Sequence, residues 1–188
     1  MAAGGTTSNV QLGPGRLYVA PLGTSEPASA TAALPSAWRV VGYTDAGSTF
    51  TANITNSPVE VAEEIDPILY FATRRENSLA FAMAETVRRN LALALGDMTG
   101  AFAANDGTAF EPPDPSSVTA CMIVKDSAES PTDPLNERWL FRQCKPGGQV
   151  QIQSQKAPQK RLIAVTFNIE KPSGSAPFKV FPSATGLV

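Results

Sequence analysis

The sequence predicts a mainly β domain, a two-sheet antiparallel sandwich or barrel with one flanking α-helix. Three observations carry this. Short runs of alternating apolar and polar residues recur along the 188 residues, the period of half-buried strands. Clusters of Gly, Pro, Asn and Asp separate those runs at close spacing. Only residues 84–95 have helical spacing, with Val87, Leu91 and Leu95 at intervals of four and Gly96 where a left-handed residue ends a helix.

Each element follows in chain order. Residues 1–14 are small, polar and Gly-rich, the composition of a flexible arm. "GRLYVAP" is a strand bounded by Gly and Pro. Residues 22–37 form a loop of small residues, too long for a passive connector. "WRVVGYTDAGSTFTANIT" gives two short strands, with Phe50 and Ile54 on one face and Thr49, Thr51 and Asn53 on the other. "SPVEVAEEID" alternates again, Val59 and Val61 against Glu60 and Glu64. "ILYFATRR", residues 68–75, pairs an apolar cluster with two arginines. The strand at 78–83 then sets Leu79 and Phe81 against Ser78 and Ala80 and leads directly into the helix.

Residues 99–117 are expected to be a surface loop. "VTACMIVKD" and "ERWLFRQC" are apolar strands, "KPGGQ" a turn, and "GGQVQIQSQ" a strand with Val150 and Ile152 inward. "KRLIAVTFNIEK" is a long strand whose inner face carries Val165 and Phe167. The expected organisation is an arm at 1–14, one domain over 15–171 and a C-terminal arm at 172–188. Its core holds Phe50, Val59, Val61, Phe81, Val87, Leu91, Val165 and Phe167.

Composition excludes several function classes. The chain has no histidine, which removes the commonest general base and zinc ligand. Net charge is −2, which argues against a basic nucleic-acid binder. Charged residues make up 17%, below the roughly 25% of ordinary domains; a surface poor in charge suits contact with other protein. The N-terminal stretch has neither the basic patch nor the apolar run of a signal peptide. Cytoplasmic synthesis is therefore expected, with Cys121 and Cys144 as reduced, buried thiols. Glu63, Glu64 and Asp66 are dense in acid but lack the pattern of a metal loop. "GPGR" and "KPGGQ" match no phosphate-binding fingerprint. No enzyme and no cofactor is expected.

Several strands have a second face that is polar and mostly uncharged or acidic. Sheets wetted on one side need their edges managed, and few edge lysines or prolines interrupt these strands. Pairing of edges between subunits, closing the sheet into a ring, is one solution.

"GRLYVAPLGTSEP", "AWRVVGYTDAGSTFTANIT", "VEVAEEIDPI" and "AFAMAETVRRNLALALG" together resemble the major tail tube protein of long, non-contractile-tailed bacteriophages, with the flavour of phages infecting actinobacteria. The likeness runs from about residue 10 to 100 and more loosely through the C-terminal strands. The resemblance implies the fold shared with the type VI secretion tube: two packed sheets and a flanking helix. It implies a virion protein whose hexameric rings stack into a hollow tail tube, ejecting phage DNA through the lumen without sequence-specific binding. Tape-measure, tail tip and tail terminator proteins would be its other partners, and no membrane is involved. In that frame Glu60, Glu64, Thr49, Thr51, Asn53, Ser78 and Ala80 would line the lumen. Ile68, Leu69, Tyr70, Phe71, Arg74 and Arg75 would stack on the adjacent ring, and Arg88, Arg89 and Asn90 would meet the next subunit. The alternatives are a β-sandwich decoration or receptor-binding module, and a tail terminator that forms a single ring.

Overall fold

The computed structural model describes residues 15–104, 109–127, 137–154, 156 and 159–182. Eight strands and two short helices make it up: β1 (Arg16–Pro21), β2 (Arg39–Val40), β3 (Thr44–Val59), β4 (Leu69–Met83), α1 (Arg88–Leu95), α2 (Met98–Phe102), β5 (Cys121–Asp126), β6 (Arg138–Gln153), β7 (Leu162–Ile169) and β8 (Phe178–Phe181). All strand pairs are antiparallel, in the order β2-β1-β5-β6-β7-β4-β3, with β8 on the free side of β6.

This path folds over on itself into two layers, and β6 belongs to both. Its first half pairs with β5 and β8, its second half with β7. Between the layers lies the main core: Leu17, Val19 and Ile123 from one side, Leu79, Phe81, Val165 and Phe167 from the other. Phe81 and Phe167 stack with centroids 5.6 Å apart. Phe50 is half-buried and joins Trp139, Phe141 and Phe178 in an aromatic cluster at one end.

A second, smaller core covers the outer face of β1, β5 and β6, where Ala20, Met122, Val124 and Leu140 pack under Ala30 and Trp38. The long loop at 22–37 is therefore a lid with its own anchors. Arg138, 2% exposed, donates to both carboxylate oxygens of Asp126 at 2.6 and 2.9 Å and to the carbonyls of Ser29 and Ala32. Arg142 and Glu26 add an ion pair at 2.6 Å, and hydrogen bonding from Arg142 holds the Glu26 carboxyl below its ordinary range. Burial on both faces explains why β5 reads as an unbroken apolar run.

Several expectations are corrected. Val59 and Val61 are exposed, not core, because β3 runs past the sandwich before it ends. "KPGGQ" is no turn; β6 passes through it with a bulge between Gly147 and Gln151. Residues 99–117 include α2 and a 3-10 turn at Pro115–Ser117. Residues 178–181 are β8, with Phe181 buried, rather than part of an arm; the N-terminal arm lies outside the described residues.

The helix also starts later than its spacing suggests. Residues before Arg88 are bound to Tyr43, just ahead of β3: Ala84 donates to the Tyr43 carbonyl, and the Glu85 carboxylate accepts from the Tyr43 amide. Val87 is the extended N-cap, half-buried. The face turned fully inward carries Asn90, Leu93 and Ala94, while Leu91 packs half-buried at its margin. Gly96 ends α1 in the left-handed region, φ 83°, and its amide donates to the Leu93 carbonyl.

Candidate assembly surfaces

Three surfaces hold the residues singled out in the sequence. The largest departure from a plain sandwich is the β3–β4 hairpin. Its two strands pair from Thr44↔Met83 to Val59↔Leu69, but β7 accompanies β4 only as far as Asn77. From Asn53 and Glu76 outward the two strands stand alone in solvent, with every residue exposed. Ile54, Ile68, Leu69, Tyr70 and Phe71 are all more than half exposed. Arg74 and Arg75 sit nearer the root, Arg74 ion-paired with Glu76. Ile68 and the ring-stacking candidates that follow thus belong to one paired overhang. Residues 60–68 close its tip, with Ile65 wholly exposed.

The second surface is the outer face of the β3–β4–β7 layer. Thr49 lies opposite Ala80, Thr51 opposite Ser78, and Asn53 opposite Glu76. Thr166 and Asn168 continue the same rows on β7. The face is small and polar, and Glu76 is the charged one among these residues. Glu60 and Glu64 are not on it. They lie beyond the end of β3, in the tip of the overhang, because β3 stops at Val59 and the alternation of "VEVAEE" is not that of a paired strand.

The third surface is the start of α1. Asn90 is fully buried and cannot meet a neighbour. Its side-chain amide donates to the carbonyls of Val41 and Glu85 at 2.9 Å, and its oxygen accepts from Arg39 at 3.1 Å. Arg88 lies over the Phe110 ring and donates to the Ala104 carbonyl. Arg89 is half-buried near Arg39. Burial, then the Arg89 charge, lowers the Arg39 pKa to about 10. Periodicity carries no signal for Asn90, two of whose three partners, Arg39 and Val41, come from a different part of the chain.

Other chemistry is sparse. Cys121 and Cys144 are free, buried and directly opposite on β5 and β6; burial raises both thiols, Cys121 to about 12, which leaves them protonated and inert. Among the described residues no three acidic or cysteine side chains are placed to hold a metal, and no helix is long and apolar enough to cross a membrane.

A sequence profile of phage tail tube proteins matches residues 3–133. The chain belongs to that family. It is accordingly a structural protein of the phage tail, with no enzymatic role. No curated protein matches the tail tube chain in sequence. Among solved structures, a chain of the anti-feeding prophage baseplate is similar at 11% identity and a TM-score of 0.48, covering 93% of this chain and 97% of that one.

Proposed function

We propose that this tail tube protein assembles into hexameric rings that stack into the hollow tube of a long, non-contractile tail, and that phage DNA leaves through the bore. The observation that supports this most is the β3–β4 overhang. Two strands with both faces in water and a row of exposed large apolar side chains cost a lone domain solubility. They become useful once a neighbouring copy covers them. In this reading Leu69, Tyr70 and Phe71 lie between rings, and the face of Thr49, Thr51, Asn53, Ser78 and Ala80 lines the bore. Tape-measure, tip and terminator proteins are then its neighbours in the virion.

Electron microscopy of the purified protein at rising concentration tests the reading. Long tubes of uniform diameter are expected. Single rings that never stack would make it a terminator, and monomers throughout would favour a decoration module.

A further inference from the structure

We propose that the acidic tip of the overhang seats in the cleft at the overhang's root on another copy. This rests on the reading above that copies self-associate, and it names the acceptor. The cleft opens between the root of β4, the end of β7 and the turn at 174–177. Its volume is about 760 Å3, within the roughly 300–1,000 Å3 of ordinary ligand sites. Arg75 and Lys171 line it, and no carboxylate does. Neither cation has an ion-pair partner among the described residues. Ile169, Ala176 and Pro177 supply an apolar wall. The cleft therefore suits a segment with carboxylates and an apolar side chain.

The tip of the overhang has that chemistry. Glu60, Glu63, Glu64 and Asp66 are exposed there, with Ile65 among them. Carboxylates would pair with Arg75 and Lys171, and Ile65 would cover the apolar wall. A chain cannot fill its own cleft. The paired strands run from Ile54↔Arg75 to Val59↔Leu69, and at about 3.3 Å per residue the tip stands roughly 20 Å away along the paired ribbon. The occupant is therefore a second copy. Because the two surfaces differ, the contact repeats head to tail and generates a closed ring or a continuing filament.

Charge reversal tests this. One variant carries Glu63→Lys with Glu64→Lys; another carries Arg75→Glu with Lys171→Glu. All four side chains are exposed, so circular dichroism should show both folded. Each is expected to assemble about tenfold less at low salt, and the fourfold variant, or a mixture of the two doubles, to recover. Separately, Ile65→Cys protein mixed with Ala176→Cys protein and oxidised with diamide should give cross-linked pairs, since the native thiols are buried. Cross-linked pairs without tubes would keep this contact and discard the tube. Tubes that ignore charge reversal and give no cross-link would overturn the contact and keep the tube. Neither tubes nor cross-links would overturn both.

Discussion

Among single residues, the buried pair of Asp126 and Arg138 ties together parts of the chain that are distant in sequence. Asp126 and Arg138 face each other across β5 and β6, and Arg138 also holds two carbonyls of the lid. Asp126→Ala would leave a buried, uncompensated guanidinium, which costs about 3–5 kcal/mol. Urea unfolding should show that loss, and amides of residues 22–37 should exchange faster. The Glu26–Arg142 pair pins the same lid from the surface. Since the Glu26 pKa is lowered from 4.5 in the folded state, its contribution is complete above about pH 4.5 and disappears as pH falls through the lowered value. Lid amides should lose protection in that window in the parent and not in Glu26→Gln, read by hydrogen exchange at a series of pH values.

At the level of elements, the overhang is thermodynamically separate from the sandwich. Beyond Asn53 and Glu76 its strands pair only with each other, and their residues are exposed. Replacing residues 57–71 by an Asn-Gly turn should leave the melting temperature within about 4 °C of the parent, the shift that roughly 1 kcal/mol produces, while tube formation stops. A large fall in melting temperature would mean the overhang packs on its own domain. The elements differ in how far they could be read from sequence. The strands through Leu79–Phe81 and Val165–Phe167 were legible because one face is dry and the other wet, and Gly96 marked the end of α1. β3 beyond Asn53 was misread: Val59 and Val61 alternate with glutamates as if one face were dry, but the hairpin there is wet on both faces. β6 was split in two because a bulge and a turn draw on the same Gly and Pro chemistry. The candidate site fared likewise: Thr49, Thr51, Ser78 and Ala80 do share a face, but Glu60 and Glu64 were carried onto it by extending the alternation past the strand's end.

For the molecule as a whole, what matters is where charge is and is not. The β3–β4–β7 outer face has little, whereas duplex DNA carries one negative charge per roughly 1.7 Å. If that face lines a bore, Thr51→Lys with Asn53→Lys should still assemble, both side chains being exposed. DNA release from particles built with it should slow several-fold at low salt and recover at high salt. Equal release rates at all salt concentrations would remove the face from the bore. The overhang has one more consequence. Where the tip-to-root contact runs on as a filament rather than closing into a ring, one end displays unfilled clefts and the other bare tips, so the polymer has polarity. Its two termini are chemically unlike, growth at each is a different reaction, and no single protein can cap both.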